Sequence, residues 1–402
     1  MSRFHTVIVL CAVALLAAGC SAARQPVKHT AGKPETCLGR SAPAAGTRDS
    51  GPVNRDDVNG DGKSDAVVNG WYRQPKTGGR WVNNRFVVLA APNGPYPTRA
   101  FRLAERFTPP DPRLDTFPIF RDRSHQFTGD VDDDGYADVV VSNTIYREKF
   151  DRYELRQCIV FGGRTGPVAA TALPADVPPV IGIGDVDRDG ALDLITLVEA
   201  RDDRRERGRQ PAEVRYGPLA RDHGTPRRTT ALDVGYRGWA SATRHVIGDF
   251  DGDGHDDLVT RAEYEEEDDR LEAGIPKDVV DATYYRGTAG GLRAAGAVPG
   301  IAADQPGAGN GTVPIDSGDF DRDGRADILA RADDQLVAVY GSPHGPGRGR
   351  AAANLGSRRG PSDVAVVGDF NGDGYDDAAI GVRGTDHRVG TVCVLLGGKN
   401  GL

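Results

Sequence analysis

The sequence predicts an all-β protein: a β-propeller of six, or seven, four-stranded blades, with calcium loops between strands 1 and 2 of each blade. Three observations carry this. An Asp-x-Asp/Asn-x-Asp-Gly-x-x-Asp pattern starts at Asp57, Asp130, Asp185, Asp249, Asp319 and Asp369, with 50 to 73 residues between copies, and a period that long marks an array of supersecondary units. Each copy is flanked by short apolar runs bounded by Gly, Pro and Asp, which is a strand signal. Helical signatures are missing: there is one Met in 402 residues and no Leu-rich amphipathic run. Such a four-stranded unit cannot bury both faces alone, and radial packing against its neighbours solves that. A seventh blade would be one without a loop.

Taken in chain order, residues 1–19 read as a lipoprotein signal peptide. Arg3 is followed by an apolar stretch from Val7 to Ala18, too short to span a bilayer. Leu16-Ala17-Ala18-Gly19-Cys20 resembles a bacterial lipobox, which implies lipidation at Cys20; a plain secretory signal is the alternative. Residues 20–36, rich in small and polar types, read as a flexible tether, and residues 37–402 as the propeller. An apolar lead-in strand precedes each loop, as at 180–183, 245–247 and 364–367. A second strand follows it, at 65–68, 138–141, 193–196 and 257–260. A third lies at 86–89, 159–161, 337–340 and 392–395, then a Gly-rich turn and a weaker fourth strand.

The segment Gly368-Asp369-Phe370-Asn371-Gly372-Asp373-Gly374-Tyr375-Asp376-Asp377 resembles an FG-GAP repeat, the blade unit of integrin α-subunit propellers and of bacterial VCBS-type exported proteins. Residues 245–259 and 317–329 are similar to it. The resemblance covers about residues 50 to 402. It implies the propeller fold and names no particular ligand.

The loop spacing suits calcium. Side chains at loop positions 1, 3, 5 and 9 can converge, Gly at position 6 allows the sharp turn, and the carbonyl of position 7 adds a ligand. Hard oxygen donors in this number favour calcium over zinc or iron. The expected ligand sets are Asp57, Asn59, Asp61, Lys63 and Asp65; Asp130, Asp132, Asp134, Tyr136 and Asp138; Asp185, Asp187, Asp189, Ala191 and Asp193; Asp249, Asp251, Asp253, His255 and Asp257; Asp319, Asp321, Asp323, Arg325 and Asp327; and Asp369, Asn371, Asp373, Tyr375 and Asp377. An EF-hand would need flanking helices and Glu at position 12, where this chain has Val68, Val141, Thr196, Thr260, Ala330 and Ile380. A metal-free Asx-rich turn explains one copy, but six copies would gather too much uncompensated like charge. About six calcium ions would more than offset the formal charge of −8.

That negative charge argues against nucleic acid as a partner. No HExxH, GxSxG or CxxC motif is present. Asp61-Gly62-Lys63-Ser64 ends like a P-loop but lacks its first Gly, and 307–311 is Gly-rich without strand or helix context. The segments 71–81, 143–156, 199–213 and 262–280 fall between strands 2 and 3, and 105–125 joins two blades. All lie on the face opposite the calcium loops. They carry Trp71, Tyr72, Trp81, Tyr146 and Tyr153 among many Arg, residue types enriched in binding surfaces.

The resulting expectation is a monomeric binding module for a protein or glycan, without catalysis, lipid-anchored on the extracellular face of the cytoplasmic membrane or secreted. The alternative is an extracellular polysaccharide-acting lyase or hydrolase, which a cluster of titratable groups in the central channel would favour. The last blade lacks a fourth strand. The segment 37–47 is expected to supply it, placing Cys37 beside Cys393 for a disulfide and leaving Cys158 free; Cys37 with Cys158 is the rival pairing.

Overall fold

The computed structural model describes residues 56–63, 65–74, 80–91, 94–103, 125–147, 152–197, 209–237, 242–263, 282–301, 311–332, 335–350, 352–357, 361–369, 371, 373–382 and 391–402. The signal segment, Cys20, Cys37 and the 37–47 closure lie outside them. Among the described residues no helix is long and apolar enough to cross a membrane.

Six antiparallel sheets follow one another as blades. Blade 1 holds β1 (Ala66–Gln74), β2 (Arg80–Ala91) and β3 (Gly94–Arg102). Blade 2 holds β4 (His125–Gly129), β5 (Asp138–Arg147), β6 (Arg152–Phe161) and β7 (Ala169–Ala172). Blade 3 holds β8 (Val180–Gly184), β9 (Asp193–Leu197), β10 (Arg209–Tyr216) and β11 (Arg228–Arg237). Blade 4 holds β12 (Ala242–Gly248), β13 (Asp257–Glu263), β14 (Ala282–Arg286) and β15 (Arg293–Ala297). Blade 5 holds β16 (Thr312–Gly318), β17 (Asp327–Ala332), β18 (Gln335–Val339) and β19 (Ala353–Ser357). Blade 6 holds β20 (Pro361–Gly368), β21 (Asp377–Val382) and β22 (Thr391–Leu395). Within each blade the strands pair in sequence order. The first strands β4, β8, β12, β16 and β20 also touch one another in turn, as the inner strands of a propeller do.

The second strands show why the sequence reads as it does. Val139 and Val141 of β5 pack with Val58, Val87 and Leu89 of blade 1, whereas Val140 between them packs with Val180 and Leu194 of blade 3. Leu194 of β9 faces blade 2, and its neighbour Ile195 joins Leu258 and Tyr285 of blade 4. A strand buried on both faces has no polar alternation, so it appears as a continuous apolar run. Successive apolar clusters fill the spaces between blades 1 and 2, 2 and 3, 3 and 4, 4 and 5, and 5 and 6.

Two expectations need correction. Much of 71–81 and of 143–156 is hairpin strand rather than loop. β1 and β2 pair outward to Gln74 opposite Arg80, with Trp71 opposite Asn83 and Arg73 opposite Trp81; β5 and β6 pair outward to Arg147 opposite Arg152, with Tyr146 opposite Tyr153. The cysteines also differ from the Cys37–Cys393 pairing. Cys393 is a free thiol and Cys158 is disulfide-bonded, to a partner outside the described residues. Cys158 sits opposite Val141 and Ala172 and packs in the apolar cluster between blades 1 and 2.

Candidate metal centres

Each loop is built from its own carboxylates. The position 1 Asp accepts two backbone N–H groups, position 5 on Oδ1 and the position 6 Gly on Oδ2, in all six copies. This is an Asx-type turn that needs no metal to form. The position 6 Gly has φ between 82° and 91° throughout, a left-handed backbone that strains any other residue. The position 5 Asp accepts the N–H of position 7 with Oδ1, again in all six copies.

Position 9 ties the loop to the blade. In five loops its Oδ2 accepts the N–H of position 2. In Asp138, Asp193, Asp257, Asp327 and Asp377, Oδ1 accepts the N–H of the Gly that follows strand 3. Sequence reasoning missed position 2, although its apolar character is visible as Val58, Val131, Val186, Phe250 and Phe320. All five are at most 1% exposed. The carbonyls of Val58, Val131, Phe250 and Phe320 accept N–H groups from the turn after strand 3 of the next blade, at Gly163, Leu219, Ser342 and Gly398. The loop is thus also a staple between blades.

Four loops gather three carboxylates with ligand atoms within 4.8 Å of one another: Asp130, Asp132 and Asp138; Asp185, Asp187 and Asp193; Asp249, Asp251 and Asp257; Asp319, Asp321 and Asp327. These are positions 1, 3 and 9. The position 5 residues Asp134, Asp189, Asp253 and Asp323 fall outside these sets and instead meet arginines, at Arg221, Arg227, Arg286 and Arg325. The first and last loops have Asn59 and Asn371 at position 3, whose amides donate to Asp61 and Asp373.

Burial raises these carboxyls. It pushes Asp193, Asp257 and Asp327 to about 7 and Asp134 to about 6, and it holds Asp138 well above the usual range, with neighbouring aspartates adding repulsion. Asp130, Asp185, Asp249, Asp251 and Asp321 are raised for the same leading reason. Tyr284, donating to Asp251 and Asp257, is raised by burial and by both charges. Oδ1 of Asp132, of Asp187 and of Asp321 is buried with no hydrogen-bond partner. Desolvated like charges with orphaned oxygens fit a hard divalent cation, which would satisfy both.

Residues 319–380 match the family model for an FG-GAP-like repeat, and residues 246–270 match that for an FG-GAP repeat. No curated protein matches the chain. Among solved structures, a lectin from Agrocybe aegerita, described as specifically recognising non-reducing terminal N-acetylglucosamine, is 13% identical with a TM-score of 0.41, over 83% of this chain and 81% of that one. The V. cholerae biofilm matrix protein Bap1 is 15% identical with a TM-score of 0.31, over 66% of this chain and 34% of that one. The rhamnogalacturonan lyase YesW is 14% identical with a TM-score of 0.31, over 84% and 60%.

Proposed function

This chain is an FG-GAP-repeat β-propeller, and we propose that it acts as a calcium-stabilised binding module for a protein or glycan, exported and held at the cell surface through lipid on Cys20. The observation that carries the calcium reading is the trio of aspartates at positions 1, 3 and 9, repeated in four consecutive blades with orphaned carboxylate oxygens in three of them. The three carboxylates of each trio would hold the ion, with the carbonyl of position 7 completing the shell. The first and last loops would hold calcium with one neutral Asn oxygen, giving six sites. Bound calcium supplies charge neutralisation at the blade junctions. The chain's own residues fix the loop, clamp position 2 into the next blade and hold the blades in register.

The ligand surface we assign to the opposite face. The hairpins β1–β2 and β5–β6 pair out to Gln74 opposite Arg80 and to Arg147 opposite Arg152, and their strands hold the positions Trp71, Tyr72, Trp81, Tyr146 and Tyr153. Flat aromatic and guanidinium groups suit sugar rings and protein hot spots. The test has two arms. Calcium titration of the purified chain, followed by melting with and without chelator, checks the metal. A glycan array and a surface pull-down with calcium present, comparing the native chain with Trp71→Ala and Trp81→Ala, checks the ligand face. Unchanged melting on proven loss of calcium refutes the first arm; unchanged capture by both variants refutes the second.

A further inference from the structure

The arginines at the loops follow a rule that the calcium reading does not require. Every loop with Asp at position 3 has a guanidinium on that carboxylate: Arg221 on Asp132, Arg228 on Asp187 at 2.7 Å, Arg286 on Asp251 at 2.6 Å and Arg350 on Asp321 at 3.4 Å. None of the four belongs to a loop. Arg221 and Arg350 lie in turns between strands 3 and 4, Arg228 begins β11 and Arg286 ends β14. Three are shelved on an aromatic ring: Arg221 over Phe161 at 4.8 Å, Arg228 over Tyr216 at 3.4 Å and Arg350 over Tyr340 at 3.7 Å. Each ring is the residue before the Gly that donates to position 9. In blade 4 that place is taken by Arg286 itself, whose neighbour Gly287 makes the bond. In the last blade, where position 3 is Asn371, it is Leu396 before Gly397.

The pairing is one of charge. Each guanidinium cancels one of the four aspartate charges of its loop; Arg221 and Arg286 also reach position 5, and in the other two loops a second arginine, Arg227 on Asp189 and Arg325 on Asp323, meets that carboxylate. At position 3 the guanidinium occupies Oδ2 of the carboxylate, while Oδ1 of Asp132, Asp187 and Asp321 stays buried and unpartnered. We propose that Arg221, Arg228, Arg286 and Arg350 are built-in counter-cations, which hold these four loops folded without metal and oppose calcium at the same carboxylates. The inference rests on the calcium reading for its second half only. Its consequence is regulatory: the four loops respond to calcium at higher concentration than they would without the arginines, so loading is graded rather than obligatory.

The experiment uses the full chain, with calcium titration and melting in excess chelator and in saturating calcium. Arg286→Gln is the first variant, because Arg286 is half-exposed and also reaches Asp253. Melting in chelator should fall by about 2–4 °C while melting in saturating calcium changes less. In the fourfold Arg→Gln variant the calcium affinity should tighten by about tenfold, the effect of removing a unit charge beside a divalent ion in water-like screening. Adding Asp251→Asn to Arg286→Gln should restore melting in chelator, because the charge that needed the guanidinium is gone. Weaker calcium binding in the fourfold variant, equal loss of melting with and without calcium, or failure of Asp251→Asn to rescue would each overturn the proposal. If neither the native chain nor the variant binds calcium, the opposition to calcium and the earlier metal reading fall together, and melting in chelator alone decides the counter-cation role.

Discussion

Asp257 offers the sharpest separation between a loop that is built by metal and a loop that metal merely loads. Its side chain is fully buried. Oδ1 accepts the Gly287 N–H at 2.7 Å, and Oδ2 accepts the Phe250 N–H at 3.0 Å and the Tyr284 hydroxyl at 2.9 Å. Asp257→Ala strips the partner from two buried amides. Tyr284 keeps a second acceptor in Asp251 at 3.2 Å, so its loss is partial. An orphaned buried donor costs about 1–3 kcal/mol, so the two amides together set a loss of roughly 2–6 kcal/mol in the absence of any cation. Asp257→Asn keeps the shape and one good acceptor but turns an N–H toward a donor, so it should lose about 1–3 kcal/mol. At the half-exposed position 5, Asp253→Asn should lose less than either. Chemical denaturation in excess chelator measures all three. A loss below about 0.5 kcal/mol for Asp257→Ala, the range of ordinary surface changes, would refute the idea that position 9 is a backbone clamp first and a ligand second.

Phe250→Ala should be among the costlier single changes, about 3–5 kcal/mol, because the ring is fully buried between blades 4 and 5 while the backbone carbonyl still accepts from Ser342; denaturation checks it, and tolerance of the change would show that the staple is backbone alone. Cys393 should react with a maleimide in the folded chain, whereas Cys158 should label only after reduction and unfolding, read by peptide mapping. Asp316 on the inner strand β16 should make stability pH-dependent. Burial pushes its carboxyl up to about 7, with Asp56 and Asp376 adding repulsion against the opposing Ser317 N–H. Its folded value lies above the unfolded one, so the folded state holds a proton that the unfolded chain releases between about pH 4 and pH 7. Its contribution is therefore most favourable below pH 4 and declines as pH rises to 7. Asp316→Asn should flatten that slope and stabilise the chain at pH 8 by up to about 4 kcal/mol; an unchanged slope would exclude Asp316 as its source.

The fold was legible because two independent periods agree in this sequence. The loop motif recurs once per blade, and each copy stands between apolar runs such as Val139-Val140-Val141 that have no polar face because two neighbouring blades claim alternate residues. The loop ligands were legible for a related reason: a carboxylate at position 1 can reach the amides of positions 5 and 6 only at this spacing, so chain-local geometry leaves its mark on local sequence. What was not legible is what the chain closes through space. Arg221 lies 89 residues from Asp132 and Arg286 lies 35 from Asp251 in the numbering, and among 50 Lys and Arg residues nothing local singles them out until the blades align strand 3 beside the loop. The same distance defeats the cysteine pairing. Cys158 and Cys393 hold equivalent places on third strands, yet Cys158 is buried at a blade junction and bonded while Cys393 lies on β22, the last described strand of its sheet, as a free thiol. A repeat makes such positions look interchangeable, and only each blade's neighbours break the equivalence. The aromatic shelf is the one long-range feature with a trace in the repeat. Phe161, Tyr216 and Tyr340 precede the clamping Gly in blades whose position 3 is Asp, and Leu396 does so where it is Asn. In blade 4 the same place holds Arg286 itself, so the end of strand 3 supplies either the ring under the guanidinium or the guanidinium.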